Sequence, residues 1–231
     1  MALSKTQIDK LGERLKSGTS TAADLRELDE HRRSFSPEYE QVIATIERAL
    51  GITPSGRRAK TVPSIVSKLQ RESIRLSQIQ DIAGGRIVVE DAPEQNRAVE
   101  ILRNAFQNAT VVDRREKPSY GYRAVHVIAR VRGKPIEIQV RTTLQHQWAA
   151  VSEKYSDLIP DLKYGGGNAD IRNALETTSA AAARIERLEM SLQKTEPSEH
   201  AEVRRDLQSV RDTLMAMLHM MLDELERHRL T

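Results

Sequence analysis

Cysteine is absent from the 231 residues. That excludes a disulfide framework, a thiol nucleophile and a thiolate metal site. Aromatic residues are scarce at 3%, so the core has to be aliphatic. No run approaches the roughly 18 consecutive apolar residues of a membrane span, and the N-terminus lacks the apolar centre of a secretion signal. A soluble cytoplasmic protein with no membrane partner is the expectation. The Gly-rich loop of P-loop nucleotide binders is missing. The histidines do not recur at zinc-ligand spacing, and no local Ser-His-Asp signature occurs. No His-Asp pair occurs either, which argues against a metal phosphohydrolase.

What is present is charge, 30% of residues with a formal net of +3. The excess matters less than its placement. Between Thr53 and Arg75 lie Arg57, Arg58, Lys60, Lys68, Arg71 and Arg75 against the single acid Glu72. Between Asp113 and Lys134 lie Arg114, Arg115, Lys117, Arg123, Arg130, Arg132 and Lys134 against Asp113 and Glu116. Such stretches attract a polyphosphate or a nucleic acid; taken alone, they read equally well as solvated faces.

Periodicity divides the chain into N-terminal helices (1–52), a mixed core (53–160) and a C-terminal helical hairpin (161–231). In the first part Pro37 opens a helix and Gly51 ends it, with Tyr39, Val42, Ile43, Ile46 and Leu50 on one stripe. The core alternates: a helix from Pro63, a strand over 85–90, a helix over 93–107, a strand over 110–113, a β-hairpin, and a helix over 143–157 carrying Trp148. This order predicts an α+β domain with a mixed four-strand sheet. In the last part, Val203, Leu207, Val210, Leu214, Met217, Met221 and Leu225 repeat in steps of three and four. That seam fits either packing on the domain or a homo-oligomer interface.

The hairpin over Tyr120–Arg141 carries the densest chemistry. Strand alternation puts Tyr122, Ala124, His126 and Ile128 on one face of its first arm, and Glu137, Gln139 and Arg141 on one face of its second. The valines and isoleucines between them are expected to face the core. Asp81 precedes Ile-Ala-Gly-Gly-Arg at a helix-to-strand junction. By itself it reads as a turn cap; together with Glu137 it reads as a Mg²⁺ site, because that ion takes one or two carboxylates plus phosphate oxygens and water. Ser64 and Lys68 share a face near a helix start, two turns' reach from Lys60, where backbone amides also favour phosphate.

In combination these segments resemble the synthetase domain of the RelA/SpoT family over about residues 40–160. Four blocks occur in order: Arg58-x-Lys60 with Ser64-Ile65-x-x-Lys68-Leu69; Asp81-Ile-Ala-Gly-x-Arg86; Gly121-Tyr122-Arg-Ala-Val-His126; and Glu137-Ile-Gln139-Val-Arg141-Thr142 followed by Trp148-Ala149. The resemblance implies a nucleotidyltransferase-like fold. It also implies transfer of the β,γ-pyrophosphate of ATP to a ribose 3′-hydroxyl of GDP or GTP, giving the alarmone (p)ppGpp and AMP. By the same match, Arg58 and Arg86 would sandwich adenine, and Lys60, Ser64 and Lys68 would hold the ATP phosphates. Asp81 and Glu137 would bind Mg²⁺, with Glu137 also the general base. Tyr122 would stack on the acceptor base and His126 contact its phosphate, supported by Gln139, Arg141, Arg115 and Lys117. The segment before Tyr122 is short and arginine-rich, which looks like the toxic branch of the family. That branch adds the tRNA 3′ end or an adenosine nucleotide as acceptors and an antitoxin protein as a partner. An inactive regulatory or RNA-binding module is the reading of another class.

Overall fold

Local signals set the helix ends. Ser4 and Thr21 each accept from a backbone amide three residues on, and the side chains of Gln7 and Asp24 answer them. Helices α1 (Lys5–Lys16) and α2 (Ala22–Arg33) therefore start in capping boxes. Helix α3 (Ser36–Leu50) has Pro37 in its first turn and stops at Gly51, whose φ of 68° is the left-handed geometry glycine adopts without a Cβ clash. Thr61 caps α4 (Val62–Arg71), again with proline in the first turn. There follow β1 (Gly84–Val89), α5 (Ala92–Ala105), β2 (Thr110–Asp113), β3 (Val125–Val131), β4 (Lys134–Thr142), α6 (Thr143–Leu158), α7 (Ala169–Leu192) and α8 (Ala201–Arg229). This computed structural model describes residues 3–56, 59–196 and 199–229. The strands form one mixed four-stranded sheet in the order β1-β4-β3-β2, which is the α+β class read from the sequence.

The sheet corrects one expectation. Strand β3 does not alternate between a core face and an open face: Ala124 through Ala129 are all buried, His126 among them. A central strand flanked by β4 and β2 is covered on both faces, so its near-continuous apolar run is the truer signal.

The chain folds into two compact units. The first comprises Met1–Ile87, Ile101–Val111 and His126–Gln139. Its aliphatic core includes Leu11, Leu15, Val42, Ile46, Ile65, Leu69, Ile87, Leu102, Val127 and Ile138. The β3–β4 turn, with Arg132 at φ 48° and Gly133 at φ 82°, is pinned to α3 by the buried Glu38, which pairs with Arg132 at 3.3 Å and Lys134 at 3.1 Å.

The second unit comprises Val88–Glu100, Val112–Val125 and Val140–Thr231. Its core is a cluster of Leu144, Trp148, Val151, Leu175, Ala182, Ile185, Leu214, Leu218 and Leu225 from α6, α7 and α8. Here the expected seam of α8 splits. Leu214 and Leu225 are inside, but Val203, Val210 and Met217 are 46%, 56% and 45% exposed. Because α8 touches both α6 and α7, the line that turns inward is Arg211, Leu214, Leu218 and Leu225. Two neighbouring helices cover a different arc from the single partner a heptad seam implies. Among the described residues, no helix is long and apolar enough to cross a membrane.

Candidate active site

Two polar clusters meet in the first unit. Asp81 stands just ahead of β1, where it receives Lys60 Nζ at 2.7 Å and Lys68 Nζ at 3.1 Å. Lys60 is fixed at its backbone, whose amide donates to the Ile82 carbonyl at 2.6 Å. Lys68 projects from α4 one turn after Ser64, and the Ser64 hydroxyl accepts from the Thr61 hydroxyl at 2.8 Å. Burial alone would raise the Asp81 pKa; the two ammonium groups outweigh it and hold the carboxyl below its ordinary 3.8. Asp81 is therefore ionised at neutral pH.

Glu137, on β4, is the centre of the second cluster. Its Oε1 lies 2.8 Å from His126 Nδ1, and its Oε2 accepts from Gln139 Nε2 at 3.0 Å. Burial again pushes the pKa up. The hydrogen bond and charge of His126, then Gln139, more than offset it, so Glu137 too lies below its usual 4.5. The Asp81 charge acts on Glu137 in the raising direction, which shows that the two carboxylates are near enough to feel each other. An ionised carboxylate held by an imidazole and an amide can accept a proton, and a paired carboxylate and lysines can bind a metal-phosphate group.

The glycines after Asp81 have a structural reason of their own. A Cβ on Gly84 would lie 2.4 Å from the Glu137 carbonyl oxygen, where the Glu137 amide donates to Ala83 at 3.1 Å. Gly84 thus lets β1 approach β4 at the residue carrying the carboxylate. Gly84→Ala forces the strands apart at a backbone atom that cannot swing away, and is expected to destabilise by about 3 kcal/mol while displacing Glu137. Urea denaturation and activity of the folded fraction check both effects. Arg86, two residues on, exchanges backbone hydrogen bonds with Ser55 at 2.5 and 2.9 Å. Arg58 lies outside the described residues.

The remaining residues belong to the second unit. Tyr122 is half-buried against the Trp148 cluster. Arg141 donates from Nη2 to the Tyr122 hydroxyl at 3.1 Å, with its guanidinium carbon 5.1 Å from the ring centroid. The guanidinium thus takes one ring face. The turn before it is tight: Tyr120 and Gly121 have φ of 51° and 83°, and the Tyr122 amide closes on Ser119 at 2.9 Å. A Cβ on Gly121 would lie 2.6 Å from the Trp148 ring. Arg115 lies in a local cluster with Asp113 at 2.6 Å and Asn96 at 2.7 Å. Lys117 is exposed on the same loop.

Sequence reading missed the imidazole–carboxylate pair of His126 and Glu137. Its signal was the two-residue turn Arg132-Gly133, which sets the hairpin register and brings residue 126 alongside 137–139. It also missed the buried polar residues of α7, Ser179 and Glu186, which are set into an apolar stripe at a spacing of seven.

Comparison with known proteins places the chain in a family. A family model described as a region found in RelA / SpoT proteins matches residues 57–156. The GTP pyrophosphokinase YjbM of Bacillus subtilis is 33% identical over 168 residues, covering 64% of this chain and 72% of that protein. An uncharacterized protein of Mycobacterium tuberculosis is 40% identical over 107 residues, covering 43% of this chain and 38% of that protein. The match therefore spans well under half the length of the mycobacterial relative. A GTP pyrophosphokinase family protein from Streptococcus pneumoniae shares the fold, with a TM-score of 0.50 and 20% identity over 81% of this chain and 98% of that one.

Proposed function

Because the chain belongs to the RelA/SpoT family, we propose that it is an ATP-dependent pyrophosphokinase whose acceptor is the ribose 3′-hydroxyl of GDP or GTP. The observation that carries this reading is the meeting of Lys60, Lys68 and Asp81 with an ionised, imidazole-held Glu137 in one unit. The acceptor 3′-oxygen attacks the β-phosphorus of ATP. The bond from that phosphorus to the α,β-bridging oxygen breaks, AMP leaves, and the hydroxyl proton passes to Glu137. Lys60 and Lys68 turn from Asp81 to the triphosphate as it arrives, and Ser64 presents its hydroxyl from the first turn of α4. Arg86, with Arg58, takes the adenine between guanidinium planes.

Asp81 and Glu137 fit Mg²⁺. Both are ionised, Glu137 feels the charge of Asp81, and the hard ion needs only one or two carboxylates when phosphate oxygens and water complete its shell. When bound, the ion offsets the negative charge of the transferring phosphates.

Tyr122 stacks on the acceptor base, with Arg141 holding its ring. Base–aromatic stacking contributes about 1–3 kcal/mol, so Tyr122→Ala is expected to raise the acceptor KM about tenfold or more and leave the ATP KM in place. Initial rates with each substrate varied in turn read the split. A second acceptor, the tRNA 3′ end, is favoured by one feature. Tyr120 is 51% exposed beside Tyr122, in a left-handed conformation that asparagine or glycine would adopt more readily. A strained, half-exposed ring next to a stacking ring suits a second base.

One assay decides the activity. Purified protein with γ-labelled ATP and Mg²⁺ is offered GDP, GTP, ADP and tRNA in parallel. Label on a guanosine nucleotide is the expected result. Label on ADP or tRNA would place the chain in the toxic branch, where a paired antitoxin protein is the partner to seek. Transfer to none of them from folded protein would overturn the reading in favour of a regulatory or RNA-binding module.

A further inference from the structure

We propose that Glu186 on α7 is a positioning residue for the acceptor pair Tyr122–Arg141, so that the helix beyond the matched family region sets acceptor affinity. This rests on the assignment of Tyr122 and Arg141 to the acceptor. Glu186 is 3% exposed and lies outside residues 57–156, the segment that the family model matches. Its Oε1 accepts from the Thr142 hydroxyl at 2.7 Å and from Gln145 Nε2 at 2.9 Å, and its Oε2 lies 3.5 Å from Arg123 Nη2.

Those partners decide what it does. Arg123 directly follows Tyr122, and Thr142 directly follows Arg141. One buried carboxylate therefore holds both chain segments that carry the pair. The same helix also grips the other side of the tyrosine: Ser179, two turns earlier, donates to the Gly121 carbonyl at 2.6 Å. Thr142 is also the N-cap of α6. The network continues inward, where Gln95 donates to Gln145 at 2.8 Å and to the Val140 carbonyl at 2.7 Å.

A carboxylate this deeply buried is costly unless it is paired and fully hydrogen-bonded. Packing alone would be served by an apolar side chain, as at Ala182 and Ile185 on the same helix. The charge instead compensates Arg123. Without it the guanidinium keeps, among the described residues, only its bond to the Arg115 carbonyl, and a shift of Arg123 would carry the adjoining Tyr122 with it. Stacking and ring–guanidinium geometry tolerate little such movement, because a shift of about 1 Å in a binding group is felt strongly. The donor lysines and carboxylates make no contact with Glu186 among the hydrogen bonds of the described residues, so the effect should stay on the acceptor.

The test is Glu186→Gln, which keeps the shape and the acceptor oxygen for Thr142 but removes the charge facing Arg123. With the acceptor that the wild type uses among GDP, GTP, ADP and tRNA, the acceptor KM is expected to rise about tenfold. The ATP KM and the kcat at saturating acceptor should stay within about twofold. Emission of Trp148, the single tryptophan and the ring against Gly121, should change as well. Ser179→Ala, a milder variant that loses only the bond to Gly121, should move the acceptor KM in the same direction by about threefold. If the wild type transfers pyrophosphate and neither variant alters the acceptor KM, the positioning role is overturned and the activity stands. A parallel loss in kcat and in both KM values would also overturn it, by showing a merely structural residue. If the wild type transfers to none of the four acceptors, the activity reading falls and this role falls with it.

Discussion

Glu137→Gln is expected to lower kcat/KM by about a thousandfold, within the range for losing a positioned general base. The substitution is nearly isosteric and leaves β4 paired with its neighbours, so the protein should stay folded. What disappears is the negative charge that His126 and Gln139 hold in place at 2.8 and 3.0 Å. An amide cannot take the 3′-hydroxyl proton and is a poor partner for Mg²⁺, so the proposed base and metal ligand would be lost together. Glu137→Asp separates these effects from geometry. It keeps the charge but withdraws it by a methylene from His126, and should retain more activity than the glutamine variant. Steady-state transfer from labelled ATP gives the comparison, and wild-type turnover in Glu137→Gln would remove Glu137 from the reaction.

The pH dependence follows from the same contacts. Burial pushes Glu137 upward, but its hydrogen-bond partners win, and its pKa falls below 4.5. A depressed carboxylate stays ionised as the pH drops, so these carboxylates should keep activity flat from neutral pH down to about pH 5. An acid limb at pH 6–7 in the wild-type enzyme would contradict the depressed value.

Asp81→Asn carries the other large effect, with an unusual division between kinetic constants. Turnover should fall at least about a hundredfold through loss of a metal carboxylate. The ATP KM should not rise with it. Lys60 and Lys68 spend their charge on Asp81 before the nucleotide binds, and they are only 27% and 21% exposed. Freed from that partner, they offer undiminished positive charge to the triphosphate. A variant with low kcat and an unchanged or lower ATP KM is the expected signature. A matching rise in ATP KM would mean that Asp81 binds ATP rather than competing with it for the lysines.

Stability should respond less than activity. Part-exposed ion pairs contribute about 0–1 kcal/mol each, so Asp81→Asn should cost about 1 kcal/mol in urea denaturation at pH 7. The sign with pH is set by the depressed pKa. The stabilisation is fully present above the unfolded carboxylate value and is lost as pH falls through the folded one. The difference between wild type and variant should therefore shrink in acid and persist at neutral pH.

Much of this was legible in the chain. Pro63 announces α4, and Gly51 announces the end of α3, because helix starts and stops are local chemistry. Asp81, Glu137, Lys60 and Lys68 stood out for a similar reason: charged residues are conspicuous when they interrupt apolar strands or crowd a helix start. The order of helices and strands, and with it the α+β class, came from periods of 2.0 and 3.6 that need no partner to be read.

What the tertiary structure decided was who faces whom. Periodicity cannot say that Asp81 would neutralise both lysines, since 21 and 13 residues separate them along the chain. Nor can it say that His126 would hold Glu137. It assigned β3 one open face, and a central place in the sheet buried both. It assigned α8 a single seam, and packing against two helices turned Leu218 inward and left Met217 at the surface. Glu186 shows the limit most plainly. In sequence it is an acid 63 residues from Arg123 set into a mainly apolar stripe, and only packing reveals the guanidinium and hydroxyl it serves. A sequence specifies its local conformations through short-range sterics and hydrogen bonds. The pairing of charges depends on long-range contacts that exist only once the chain has closed on itself.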